Sequence, residues 1–331
     1  MTAAMTAPPG QRRVDVCNGD ADGLCAVLQW RLQTPAPATL VTGLKREIAL
    51  LDRVQAMPGD ELLVCDLSLQ RNRTALLRLL AQGARVRYFD HHAPCDIPPH
   101  PNLQTHIELG SQTCTSLLMD RHLGGAQRIW ALAGAYGDNL TAVADALAAD
   151  SGVGSEDRAR LRMLGEAINY NAYGEDERDV YIPPARLYET LSRYRDPLDL
   201  SLHETIVRPL DALRRADLRQ AAQVPPHWQN GRASVYLLPD APWSRRVIGS
   251  LANELASARP ALAHAVLKAV RAGGYGVSVR APLSAAGGAR ELCLRFGGAG
   301  RAGAAGIDDL PARDLDRFIQ AFDAARWGES G

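Results

Sequence analysis

Residues 14–23, Val-Asp-Val-Cys-Asn-Gly-Asp-Ala-Asp-Gly, begin as a short β-rich run and end as a polar turn carrying Asn18, Asp20 and Asp22. An amphipathic stretch follows at 24–32, so a strand passes into a helix through an acidic turn. The alternation continues down the chain. Residues 39–42, 62–65 and 86–89 read as strands, while 47–56 and 71–81 read as helices, the second with Gly83 where a helix stop belongs. Strands alternating with helices imply the α/β class, a parallel sheet with helical crossovers.

Polar groups stand directly after three of these strands: Asn18, Asp20 and Asp22, then Asp66, then Asp90, His91 and His92. In open α/β sheets ligands bind beyond the carboxyl ends of the strands, so these distant residues are expected to converge on one cleft. Residues 113–173 read as mainly helical, interrupted at Gly137, Asp138 and Asn139. A charged, Pro-punctuated stretch follows. Strand 234–238, helix 244–258, strands 263–270 and 275–280 and a Gly-rich block then suggest another α/β domain. The expected organisation is a first domain over 11–185, a partly helical linker over 186–230 and a smaller domain over 231–331.

A chain of 331 residues exceeds the usual size of one domain, and 46% hydrophobic with 22% charged residues is the balance of a soluble globular protein. No apolar stretch approaches the roughly 20 residues of a membrane span, and residues 1–10 lack the basic flank and apolar block of a secretion signal. A cytoplasmic protein without a membrane partner is expected. Lys plus Arg equals Asp plus Glu at 37 each, which leaves no strong positive field for long duplex nucleic acid and favours a small phosphate-containing substrate. Six cysteines without a CxxC pair argue against a zinc knuckle or disulfide framework. His106, His122, His203 and His264 lack partner spacing and read as core or surface residues.

Carboxylates with a few imidazoles, here Asp20, Asp22, Asp66, His91 and Asp138, are the ligand set of Mn²⁺ or Mg²⁺. Two such ions about 3.5–4 Å apart can share a carboxylate and clamp the attacking and leaving oxygens of an in-line displacement at phosphorus. Taken singly, Asp-x-Asp-Gly is a cap or turn, and Gly-Asp-Asn is a turn. Asp-His-His after a strand is less ordinary, because adjacent titratable side chains are costly to bury. Order gives the parts their weight, since each acid falls where the sheet pattern puts the cleft.

In this order Asp20-Ala21-Asp22-Gly23, Asp66, Asp90-His91-His92 and Gly137-Asp138-Asn139, with ELGSQTCTSLL at 108–118, resemble the DHH phosphoesterases. That family includes RecJ-type exonucleases, nanoRNase/pAp phosphatases, cyclic-dinucleotide phosphodiesterases, family II inorganic pyrophosphatases and exopolyphosphatases. The resemblance covers nearly the whole chain. It implies an N-terminal parallel-sheet DHH domain, a smaller C-terminal α/β substrate-binding domain across a cleft, and Mn²⁺-dependent hydrolysis with one or two ions, Mg²⁺ or Co²⁺ being alternatives. Carried over position by position, Asp20 binds the first ion, Asp22 the second, and Asp66 bridges them. His91 and Asp138 complete the second site, His92 contacts the substrate phosphate, and Asp90 orients its neighbours. Asp66, His91 and His92 thus form the implied catalytic group. The chain departs from the family at Val16 and Asn18, where branches carry His and Asp respectively. Asn18 offers an oxygen without charge, so the first ion is expected to bind weakly.

Residues 276–280, Gly-Val-Ser-Val-Arg, and 298–306, Gly-Ala-Gly-Arg-Ala-Gly-Ala-Ala-Gly, resemble the DHH-associated C-terminal domain, whose Arg-bearing strand precedes a GGGHxxAAG loop. The resemblance assigns Arg280, Gly298, Gly300 and Arg301 to substrate binding, with Arg301 standing at the family His. Three activities stay open. The leading one is hydrolysis of a short oligonucleotide, a linear dinucleotide or pAp by metal-activated water; the others are hydrolysis of pyrophosphate or polyphosphate, and nucleotide or anion binding without turnover. Trp243-Ser244-Arg245-Arg246 is a further candidate contact for base and phosphate. A homodimer is the default assembly.

Overall fold

A computed structural model describes residues 11–92, 96–203, 205–271 and 273–328. Cys95 and the N-terminal stretch 1–10 lie outside the described residues. The chain divides into two compact units, Met1–Asn169 with Pro183–Glu204, and Tyr170–Ile182 with Thr205–Gly331.

In the first unit β1 (Arg13–Asn18) runs into α1 (Ala21–Gln33), followed by β2 (Thr39–Gly43), β3 (Glu61–Cys65), α2 (Leu69–Ala81), β4 (Arg85–Asp90) and β5 (Leu103–Ile107). The strands form one sheet in the order β2-β1-β3-β4-β5, parallel throughout, as the alternation of elements predicts. Leu69, Leu76, Leu79 and Leu80 of α2, at helical spacing, close one core with Val14, Val16, Leu62, Val64 and Val86 of the sheet. Each such buried side chain contributes about 2 kcal/mol. β5 went unpredicted because its sequence, Leu-Gln-Thr-His-Ile, has little apolar alternation on a half-buried edge. α3 (Thr115–His122), α4 (Arg128–Gly137), α5 (Thr141–Asp150) and α6 (Ser155–Asn171) follow, then α7 (Pro184–Leu191) and α8 (Pro197–His203).

The helix expected over 47–56 is replaced by a loop with one 3₁₀ turn, Leu50–Arg53. Side chains of α2 satisfy the backbone there. Asn72 accepts from Leu51 N–H and donates to the Ile48 carbonyl, and the Arg78 guanidinium donates to the carbonyls of Leu51 and Val54. With those groups paired and Leu50, Leu51 and Val54 already in the core, helix formation gains nothing further.

The segment expected as a linker is divided: α7 and α8 lie in the first unit, whereas α9 (Val207–Ala221) lies in the second. The second unit continues with β6 (Trp228–Gln229), β7 (Ala233–Leu238), α10 (Pro242–Ala258), β8 (Ala263–Ala269), β9 (Tyr275–Arg280), α11 (Ala289–Leu294), β10 (Ala299–Gly300), β11 (Ala304–Leu310) and α12 (Leu315–Asp323). Its sheet runs β10-β11-β9-β8-β7-β6, with β7 and β8 parallel and the other pairs antiparallel. Val235, Leu267, Val279, Ile307, Phe318 and Phe322 belong to its own core.

Cys17, Cys25, Cys65, Cys114 and Cys293 are free thiols inside these cores, and burial pushes each above its usual range. Among the described residues no helix is long and apolar enough to cross a membrane.

Candidate metal centre

The carboxyl ends of β1, β3 and β4 place Asp20, Asp66 and the Asp90-His91-His92 run at one edge of the first sheet. Asp20 caps α1, its Oδ1 accepting the Gly23 N–H at 3.0 Å. Gly23 is required there, since a Cβ would lie 2.3 Å from the Asn18 carbonyl oxygen. Asp22, in the first turn of α1, accepts the N–H of Ser116 at 2.7 Å on Oδ1 and of Thr115 at 2.8 Å on Oδ2. A carboxylate of α1 thereby takes the first amides of α3, which fixes both its oxygens and offsets the positive end of that helix.

Asp66 adopts a left-handed backbone, φ 57°, while its N–H still pairs with the Phe89 carbonyl. The abrupt turn after β3 projects its side chain to within 3.2 Å of His91 Nε2. His91 Nδ1 lies 3.0 Å from the Thr113 carbonyl, which can only accept, so Nδ1 carries hydrogen toward it. In the neutral ring the Nε2 lone pair then faces Asp66 Oδ1 at 3.2 Å and Asp22 Oδ2 at 3.7 Å. Two acceptors facing a lone pair fit a cation between them, and this arrangement suits a divalent ion.

Asp138 reaches the same place from α4. It is the C-cap of that helix, and the next residue, Asn139, has φ 62°. Asn139 N–H pairs with the Tyr136 carbonyl and Leu140 N–H with that of Ala135, the two bonds of a Schellman stop. Among the described residues two groups offer ligand atoms all within 4.8 Å of one another: Asp66 with His91 and His92, and Asp22 with His91 and Asp138. His92 Nδ1 is 2.7 Å from Asp90 Oδ1, which also accepts the His91 N–H, whereas the buried Asp90 Oδ2 has no hydrogen-bond partner among the described residues.

Burial, then the charges of Asp20 and Asp22, push the Asp66 carboxyl well above the usual range, against the opposing pull of His92 and Lys45. Burial likewise raises Asp22 despite His91. Burial would also raise Asp20, but the charge and hydrogen bond of Lys45 hold it low. Desolvation of His92 is outweighed by Asp90, and its imidazole is raised.

Sequence reasoning missed two features. Lys45, in the loop after β2, places Nζ 2.5 Å from Asp20 Oδ2, and its residue type and position carry no motif. The 113–116 segment acts through main-chain groups, which only its similarity to a family stretch could have flagged. Asn18 turns its Oδ1 to the Asp20 N–H at 3.3 Å, and Val16 is fully buried in the core.

Arg280, Gly298, Gly300 and Arg301 belong to the second unit. Pairing of β9 with β11 sets Arg280 opposite Ala304, beside the tight hairpin in which Arg301 and Ala304 exchange backbone hydrogen bonds. Arg280 is braced by Asn253 Oδ1 at 2.7 Å and Ser278 Oγ at 3.0 Å. A Cβ on Gly298 would lie 2.2 Å from the Gly306 oxygen, and Gly300 has φ 145°, so both glycines answer the close approach of β10 to β11. Of the other candidates, Arg246 is bound to Tyr170, Asp217 and the Asp179 carbonyl, and Arg245 is buried beside Asp240. His106 stacks on Phe89 and His264 pairs with Ser234, both structural roles.

A parallel sheet with acids and imidazoles gathered at its carboxyl edge, joined in one chain to a mixed-sheet unit, is a fold that this chain shares with solved DHH-domain and RecJ structures. Three solved structures make the likeness particular. A DHH-domain member of the s1p family of ribosomal proteins matches 95% of this chain and 86% of its own, with a TM-score of 0.62 and 14% identity. Exonuclease RecJ bound to manganese matches 95% and 90%, with a TM-score of 0.53 and 21% identity. A pGpG-specific phosphodiesterase from Vibrio cholerae matches 94% and 97%, with a TM-score of 0.51 and 17% identity. No family model matches the sequence, and no curated protein sequence does.

Proposed function

We propose that the protein is a divalent-metal-dependent phosphoesterase that hydrolyses a small nucleotide, such as a short oligonucleotide, a linear dinucleotide or pAp. The observation that carries this reading is the convergence of Asp22, Asp66, His91, His92 and Asp138 at the carboxyl edge of a parallel sheet, with His91 Nε2 turned toward two carboxylates. Manganese fits the mixed carboxylate and imidazole donors, and two neighbouring RecJ structures contain it. A divalent ion held by these residues would supply Lewis acidity toward a phosphoryl oxygen and a nucleophile at neutral pH.

The chain's own groups do the rest. Thr113 fixes the His91 tautomer, and the amides of Thr115 and Ser116 hold Asp22 in register. Asp90 fixes His92 and raises its proton affinity, leaving Nε2 at a half-exposed position to donate to a substrate phosphate oxygen. In the second unit, Arg280 and Arg301 are the cations suited to phosphate. A formal net charge of +0 favours a small substrate over a polymer.

Purified protein incubated with Mn²⁺, Co²⁺ or Mg²⁺ and a panel of short RNA, linear and cyclic dinucleotides, pAp, pyrophosphate and polyphosphate tests the reading. Release of nucleoside monophosphate, lost in His91→Ala, is the expected result. Phosphate from pyrophosphate or polyphosphate alone would replace the nucleotide substrate. Nucleotide-induced stabilisation without turnover, unchanged in His91→Ala, would reduce the protein to a binding module.

A further inference from the structure

We propose that the ammonium of Lys45 occupies the place of one divalent cation, so that the protein holds a single ion, at Asp22, His91 and Asp138, with Asp66 beside it. The inference rests on the metal-dependent reading above and adds a stoichiometry to it. Lys45 Nζ lies 2.5 Å from Asp20 Oδ2 and 3.3 Å from Asn169 Oδ1, and the Asp20 side chain is only 2% exposed. An ammonium is a compact point charge with three donors, so it can neutralise a buried carboxylate much as a metal ion would, without open coordination positions.

The hydrogen bonds of Asp20 and Asn18 and the side chain at 16 suit that ammonium. The second oxygen of Asp20 already caps Gly23, and the Asn18 oxygen takes the Asp20 amide. Val16, at the family's histidine position, is fully buried among apolar side chains and offers no ligand atom. Neither group of clustered ligand atoms among the described residues includes Asp20. The lysine is also delivered by a built loop. Gly43 at the end of β2 accepts the Gly19 N–H at 3.0 Å, Glu47 Oε2 accepts the Leu44 N–H at 2.7 Å, and Asn72 ties the following residues to α2.

Metal-free, full-length protein titrated with Mn²⁺ and followed by the free-ion electron paramagnetic resonance signal gives the count directly. Wild type should take up one ion per chain, with the spectrum of an isolated Mn²⁺. Asp20→Asn should keep that ion, whereas Asp138→Asn should bind it about 100-fold more weakly, at the strong end of what loss of a group supporting the ion costs. Lys45→Ala should admit a second, weaker ion and the broadened spectrum of an exchange-coupled pair. Two ions in wild type, or only one in folded Lys45→Ala, overturn the proposal. No ion in wild type overturns the metal-dependent reading itself. Should Lys45→Ala not fold, anomalous scattering from a Mn²⁺-soaked wild-type crystal decides: one peak beside Asp138 supports the proposal, and a peak beside Asp20 overturns it.

Discussion

Asp66 combines two properties that make its substitutions differ. Its left-handed φ of 57° suits Asn, whereas Ala would pay about 1–2 kcal/mol for the same backbone. Asp66→Asn is therefore the clean variant, expected to abolish turnover and weaken Mn²⁺ binding about 10–100-fold, the range that loss of a metal-supporting group costs. Its effect on the metal-free protein should be the opposite. Burial and neighbouring carboxylates raise the Asp66 pKa in the fold, so the native state binds more protons than the unfolded chain. That contribution to stability is present at low pH and lost as pH rises above the ordinary carboxylate value of about 4. Thermal melts without metal should show Asp66→Asn gaining on wild type as pH rises above about 4; a constant gap would contradict the assignment. Residues such as Asp66 and His91 were legible because acids after strands have few structural uses. Lys45 was not, because nothing in a loop sequence says that its ammonium reaches a carboxylate 25 residues earlier.

The elements that carry the candidate ligands are locked by contacts that leave no room for a methyl group. A Cβ on Gly137 would stand 2.3 Å from Ala21 Cβ and 2.8 Å from the Gly165 oxygen, at the place where α1, α4 and α6 meet. Gly137→Ala should cost about 1–3 kcal/mol in urea unfolding and also lower Mn²⁺ affinity, because it moves Asp138 away from Asp22. Asn139, next along, serves the helix stop. Asn139→Gly should be neutral, and Asn139→Val should cost about 1–2 kcal/mol. The Gly-Asp-Asn run is thus a turn that also brings Asp138 together with Asp22 and His91, readings that were kept apart in the sequence. Helix 47–56 failed for the converse reason: its apolar spacing was helical, but Asn72 and Arg78, distant in sequence, had already paired its backbone.

For the molecule as a whole, length and the order of elements announced two domains but could not show that the chain enters each of them twice. Leu187, Leu191 and Leu200 are buried in the unit that carries the candidate metal centre, and the Arg195 carbonyl accepts the Trp130 indole N–H at 3.0 Å. A fragment of residues 11–204 should fold and bind Mn²⁺, whereas 11–185 should lose cooperative unfolding through the loss of about 2 kcal/mol per leucine; equal melting of both fragments would contradict this. The buried cysteines of that unit carry a last consequence. Cys17, Cys25, Cys65 and Cys114 are completely enclosed and within a few residues of Asn18, Asp22, Asp66 and Thr115. With Cys95 and Cys293 replaced by serine, an alkylating reagent could label the protein only when this interior breathes, and the labelling rate would become a clock for that opening. Manganese should slow the clock in proportion to its saturation, giving a record of ion binding that needs no substrate at all.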